Sequence, residues 1–111
     1  MVRSLIILAA VLVGCSCQKN SADFADLGLI KDSIFIDDQP REYLIYFPSN
    51  LKAEAPLVFV CHGYTGKASD MANYSQMNSV ADKHGFVVCY PQGSMDKNEN
   101  PFWQVGYEFN L

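Results

Sequence analysis

The sequence is short of positive charge. Eight Lys and Arg stand against twelve Asp and Glu over 111 residues, a formal charge of −4, and the cations form no cluster anywhere along the chain. Nucleic-acid binding needs a basic stripe or patch, so no nucleic-acid partner is expected. The two His and four Cys show no metal-ligand spacing, which argues against a zinc site, and no cofactor is expected. No apolar run approaches the roughly 20 residues that a membrane-spanning helix needs, and no internal repeat or low-complexity tract occurs. Charged residues make up only 18%, while apolar residues reach 50%, with seven Phe, six Tyr and one Trp. That is the composition of a chain with a core rather than of a disordered tail. The length leaves room for one domain at most, since domains usually take about 100–200 residues.

What is present begins with a targeting segment. Residues 1–14 place Arg3 ahead of the apolar run Leu5–Val13 and close on Gly14, which has the length of a signal-peptide core. Leu12-Val13-Gly14-Cys15 resembles the bacterial lipobox, which implies cleavage before Cys15 and acylation of its thiol. Several acyl chains on one residue would anchor stably, because a single chain binds a membrane only marginally. The chain is therefore expected to be exported and held at a membrane through lipidated Cys15, or to be secreted if the segment is an ordinary signal. Residues 15–32 turn polar and irregular and are read as a tether, too hydrophilic to bury a surface.

Residues 33–111 have the pattern of an α/β domain. Ile34-Phe35-Ile36 and Arg41–Phe47, separated by Asp37-Asp38-Gln39-Pro40, predict two strands in a hairpin, from their β-branched and aromatic content and the Asp/Pro turn chemistry. Leu57-Val58-Phe59-Val60-Cys61 and Phe86-Val87-Val88-Cys89-Tyr90 are unbroken apolar runs, as strands covered on both faces are. Cys61 and Cys89 are accordingly read as small buried residues, although export would permit a disulfide. Between these runs Met71, Tyr74, Met77 and Val80/Ala81 recur at helical spacing, which predicts a helix from Ser69, as N-cap, to His84, with Gly85 as its stop. Strand, helix and strand in this order form a βαβ crossover with parallel strands.

The chemistry concentrates in the turn after the first buried strand, Cys61-His62-Gly63-Tyr64-Thr65-Gly66. In an open α/β sheet ligands sit at the carboxyl ends of the strands. The two glycines let this turn bend tightly and approach a substrate, and its amides would suit a developing oxyanion. Pro56–Gly66, followed by Ala81–Gly93 and Trp103 and preceded by Arg41-Glu42-Tyr43 and Phe47-Pro48, resembles the N-terminal part of the polyhydroxybutyrate depolymerase and feruloyl esterase group of α/β hydrolases. The resemblance runs over about residues 33–109.

That resemblance implies an incomplete α/β-hydrolase fold, an N-terminal hairpin plus the first parallel βαβ unit. It also implies a serine-type ester hydrolase acting on an ester or a polysaccharide-linked ester. One oxyanion-hole amide would come from Tyr64 or from Thr65, with His62, Gly63 and Gly66 shaping the turn and Tyr90 and Trp103 lining the substrate. No serine has glycines two before and two after it, so the family's nucleophile motif is missing and with it the triad. A βαβ unit takes about 30 residues, so a sheet of about eight strands does not fit. The expectation is an N-terminal piece that is inactive alone. The usual hydrolase order also puts the fourth strand between the second and third. Two rival expectations remain. One is a non-catalytic surface lipoprotein that binds carbohydrate or ester ligands on a remnant of this fold. The other is a different α/β-hydrolase branch, such as the dienelactone hydrolases or the prolyl-peptidase relatives.

Overall fold

The computed structural model describes residues 27–106. The signal segment, Cys15 and most of the proposed tether lie outside the described residues. Strands β1 (Leu29–Ile36) and β2 (Gln39–Tyr46) form an antiparallel hairpin. Strand β3 (Leu57–Phe59) is followed by helices α1 (Ala68–Ser75) and α2 (Met77–His84). Strand β4 (Val87–Pro91) comes next, and a small hairpin of β5 (Ser94–Met95) and β6 (Pro101–Phe102) completes the set. The main sheet runs β1-β2-β4-β3, with β4 antiparallel to β2 and parallel to β3. The fourth strand thus lies between the second and third, and the parallel βαβ unit forms as the sequence predicts.

The hairpin is longer and tighter than expected. Ile36 pairs with Gln39, so the loop is the two residues Asp37 and Asp38, at φ 51° and 58°. Positive φ at both central positions is the type I′ geometry that matches strand twist. Pro40 falls inside β2 opposite Phe35, in the part of that strand that β4 does not reach, where its missing N–H leaves no partner unpaired. β1 begins at Leu29, so residues 29–32 belong to the sheet and not to the tether. Their polarity reflects exposed cross-strand pairing: Lys31 meets Glu42 at 2.9 Å, and the Tyr43 hydroxyl donates to Asp32 at 3.2 Å.

Register places Leu29, Tyr46, Val88 and Val58 in one row across all four strands. This row faces the helices. Ala68, Ala72 and Ala81 come down onto Leu44, Val88 and Tyr90, and their small side chains let α1 and α2 lie close against the central strands. Alternation sends Ile30, Ile45, Cys89 and Phe59 to the opposite face.

Three expectations need correction. The helix is two helices, because Gln76 adopts a left-handed conformation (φ 56°, ψ 19°) that ends α1 and starts α2. Neither glycine nor proline marks the break. It brings Asn78 beneath the buried Tyr90, whose hydroxyl donates to the Asn78 side chain at 2.7 Å, while Tyr74 is left 85% exposed. Ser69 is not the N-cap. Lys67 occupies that position without a side-chain bond, and the Ala68 N–H is taken instead by Gln92 Oε1 at 3.0 Å. Finally, β3 is an edge strand whose Leu57 and Phe59 are 51% and 62% exposed. Its apolar run therefore does not mark burial among the described residues, and Cys61 is likewise exposed. Cys89 is buried, both thiols are free, and burial followed by the neighbouring Cys61 pushes the Cys89 thiol above its ordinary value. The helix stop stands where expected, with Gly85 at φ 72° donating to the Ala81 carbonyl at 2.7 Å.

Candidate functional site

Parallel neighbours end on the same side of a sheet, so the residues after β3 and those after β4 emerge next to each other. Val60 continues the ladder by donating to the Cys89 carbonyl at 2.9 Å, and the chain then enters the 61–66 turn. Beside it, β4 closes into Gln92 and Gly93.

His62 lies where the two ends meet and is only 4% exposed. Its Nδ1 is 2.7 Å from the Gly63 carbonyl, and its Nε2 accepts the Gly93 N–H at 2.9 Å, with the Gln92 side-chain nitrogen at 3.2 Å. Trp103 lies against it, ring centroids 4.9 Å apart at 35°, and donates its indole N–H to the His62 carbonyl at 2.6 Å. A Cβ on Gly93 would sit 2.3 Å from the Phe102 carbonyl oxygen and 3.1 Å from His62 Cε1. Closeness, not an unusual φ, requires glycine there.

Two amides at the end of the turn are tied down. Gly66 donates to the Gly63 carbonyl at 3.0 Å, and Thr65 donates to the Pro101 carbonyl at 2.8 Å. Thr65 is held at φ 65°, a conformation costly for a β-branched residue and typical of functional turns. The Tyr64 N–H finds no acceptor among the described residues. Space beside Gly63 is open, with nothing within 4 Å of where its Cβ would be.

A second set of bonds runs from the turn to the β5–β6 hairpin. The Tyr64 hydroxyl donates to Asp96 at 2.8 Å, and the Asn98 and Asn100 N–H groups both donate to Asp96 Oδ1 at 2.8 Å. The Asn100 N–H is the main reason why the Asp96 carboxyl lies below the ordinary 3.8. Desolvation opposes the shift, and Tyr64 and Asn98 add to it. The same carboxylate, accepting from the phenol, is the first cause of the Tyr64 hydroxyl lying above 10.0, with desolvation second.

Two clefts lie near the site, one bordered by Trp103 and Gly93 and the other by the turn itself. One of about 330 Å³ is walled by Ile34, Ile36, Tyr43, Phe59, Phe102 and Trp103. At its edge the Arg41 guanidinium donates to the Ser94 hydroxyl. The other, about 260 Å³, lies over Gly63 and Gly66 between Lys67, Met71 and Tyr74.

The structure brings His62, Gly63, Tyr64, Thr65, Gly66 and Trp103 together. Tyr90 does not join them. It points to the helix side of the sheet, has no exposed surface and lines neither cleft, so its expected place at the substrate is replaced by a place in the core. Alternation along β4 decides this, because Tyr90 shares its face with Val88. Of the residues that hold the turn, Gln92 falls within the Ala81–Gly93 resemblance but without an assigned role, and Asp96 and Pro101 carry no sequence signal beyond their place in a loop. No three His, Cys, Asp or Glu side chains gather as a metal would require among the described residues.

A mixed sheet with a leading hairpin, a parallel βαβ unit and a His-Gly turn at its carboxyl end is the layout of the first part of an α/β hydrolase. The chain belongs to the Esterase PHB depolymerase family, whose model matches residues 41–109. It is similar to the probable acetylxylan esterase A of Aspergillus clavatus, 30% identical over 96 residues that make up 85% of this chain and 30% of that protein. It is 36% identical over 53 residues, 48% of this chain, to the bifunctional acetylxylan esterase/xylanase XynS20E of Neocallimastix patriciarum, 8% of whose length is covered. The structure of the acetyl xylan esterase from Aspergillus awamori superposes with a TM-score of 0.51 at 28% identity, over 57% of this chain and 23% of that one. The chain thus spans under a third of each of these relatives.

Proposed function

We propose that these residues supply the oxyanion-hole turn of a serine-type carboxylic-ester hydrolase, with the Tyr64 N–H as the donor. One observation carries the reading. Of the two amides the family resemblance offers, Thr65 donates to Pro101 while the Tyr64 N–H has no acceptor among the described residues, and it stands beside the open space at Gly63. The Thr65 N–H is taken by Pro101, so of the two candidate amides Tyr64 is the one free to meet a substrate oxygen. Such a donor, fixed before the charge develops, is worth about 10²–10³ in kcat. Family membership and the acetylxylan esterase relatives support a carboxylic ester as substrate, including an acetyl ester carried on a polysaccharide.

Because the 111 residues hold no G-x-S-x-G, the nucleophile would have to come from residues outside them, and this chain by itself should not turn over esters. The sequence supports an exported protein with a lipid anchor on Cys15. Metabolic labelling with a palmitate analogue should tag the chain, and labelling that persists in Cys15→Ala would remove the anchor from the proposal.

The catalytic reading is tested by replacing the matching segment of the Aspergillus awamori enzyme with residues 27–106. A folded chimera should hydrolyse p-nitrophenyl acetate, and Tyr64→Pro, which deletes the N–H, should lower kcat by about 10²–10³. A folded chimera without activity, or one indifferent to Tyr64→Pro, would overturn the proposal.

A further inference from the structure

We propose that Gln92 is a positioning residue that, together with the Gly93 N–H, sets the tautomer of His62 and, through it, the direction in which the Tyr64 N–H points. The inference rests on the oxyanion reading only for its catalytic meaning, since the relay itself is a matter of hydrogen bonds.

Each link is fixed by what the group before it can do. The Ala68 N–H at the start of α1 can only donate, so the Gln92 atom 3.0 Å away is the amide oxygen. That leaves the NH2 of Gln92 facing His62 Nε2 at 3.2 Å, and the Gly93 N–H reaches the same nitrogen at 2.9 Å. Two donors converge on Nε2, so it is the bare, accepting nitrogen, and the single ring proton sits on Nδ1. Nδ1–H then donates to the Gly63 carbonyl at 2.7 Å, which also accepts from Gly66 at 3.0 Å.

The last step is geometry. No cis peptide bond occurs in the described residues, and in a trans peptide the N–H points opposite to the C=O. With the Gly63 carbonyl drawn inward by two donors, the Tyr64 N–H on the same plane is turned outward. With the other tautomer, Nδ1 would be bare and would face the Gly63 oxygen at 2.7 Å, lone pair to lone pair. The peptide would then rotate away from its present setting. Burial of His62 makes the choice decisive, because an unpartnered nitrogen there has no water to turn to.

The experiment uses uniformly 15N-labelled full chain carrying His84→Gln, which removes the other, exposed histidine, so that each imidazole ring signal belongs to His62. The expected spectrum shows a protonated Nδ1 and a bare Nε2. Gln92→Glu keeps an acceptor for the Ala68 N–H but presents a carboxylate oxygen to Nε2. It should move the Nε2 resonance into the protonated range and shift the Tyr64 amide. Gln92→Met, which removes both bonds while keeping length, should blur the tautomer preference. It should leave the amide resonances of β1 and β2 in place, showing that the sheet is still folded.

A protonated Nε2 in the unsubstituted chain would overturn the proposal. So would a Gln92→Glu spectrum in which neither His62 nor the Tyr64 amide moves. Should the ring signals behave as expected while the chimera above proves inactive, the relay stands and the oxyanion reading falls. Should the reverse occur, only the relay falls.

Discussion

At the scale of single residues, close approach governs the site more than catalysis does. Gly93 is the clearest case. Its missing side chain lets the β4 exit press against both Phe102 and His62, and an added Cβ would sit 2.3 Å from a backbone oxygen that cannot rotate aside. Overpacking of this kind costs about 1–3 kcal/mol, so Gly93→Ala should lower the unfolding free energy from urea titration by that amount, while Gly63→Ala, with nothing within 4 Å, should barely change it. Equal effects from the two substitutions would contradict the packing described here.

Asp96 offers a test by pH. Its carboxyl is held below 3.8 in the folded chain, chiefly by the Asn100 N–H. A group depressed in this way stabilises the fold fully above its ordinary value and ceases to do so as pH falls through the lowered one. The Asn98, Asn100 and Tyr64 resonances should therefore stay constant from pH 7 to about 5 and move together only below about pH 4. Asp96→Ala should already show the acid positions at pH 7. A transition near pH 6 would point to another group.

Part of this was legible in the sequence. The His62-Gly63 and Gly66 turn is marked by its glycines and by its place after an apolar strand. The role of Gln92, which stands in the sequence only as one position of the Ala81–Gly93 resemblance, and that of Asp96 are not legible, because their partners lie 30 and 32 residues away in sequence, and a single polar residue in a loop says nothing about what it reaches.

At the scale of elements, the two-residue hairpin turn is well placed and poorly filled. Asp37 and Asp38 both hold positive φ, which costs an L-residue roughly 1–2 kcal/mol each. Glycine removes that cost at the second position but loses roughly 0.5–1 kcal/mol of chain entropy. Asp38→Gly should therefore stabilise by about 0.5 kcal/mol, a rise of roughly 2–4 °C in Tm for a unit of this size. A fall in Tm would mean that Asp38 makes a compensating contact. Turn chemistry announced this hairpin, although its loop is shorter than the four residues the composition suggested. The break at Gln76 was invisible for the opposite reason. Its left-handed residue is neither Gly nor Asn, and the requirement it meets, a partner for the buried Tyr90 hydroxyl, comes from β4, which the helices cover.

At the scale of the whole molecule, the two faces of the sheet are treated differently. Both helices pack on the face of Leu44, Val88 and Tyr90. On the other face Ile30, Ile34 and Ile36 are 53%, 51% and 48% exposed, and the edge strand adds Leu57 and Phe59. The apolar runs that predicted strands covered on both sides are right about composition, and for β4 about burial, since Val87 and Cys89 are buried. They fail for β3, where no helix lies over Leu57 and Phe59 among the described residues and no strand pairs with its outer edge. An exposed apolar edge strand binds dyes and other chains. The described unit should therefore enhance ANS fluorescence while keeping its sheet. A paired Leu57→Lys and Phe59→Lys change should cut that signal by more than half without lowering the melting temperature, because both side chains already sit largely in solvent. If the dye signal survives the two lysines, the adsorbing surface lies elsewhere. If the melt collapses, Leu57 and Phe59 support the core in spite of their exposure, and β3 must be regarded as a structural strand rather than an open edge.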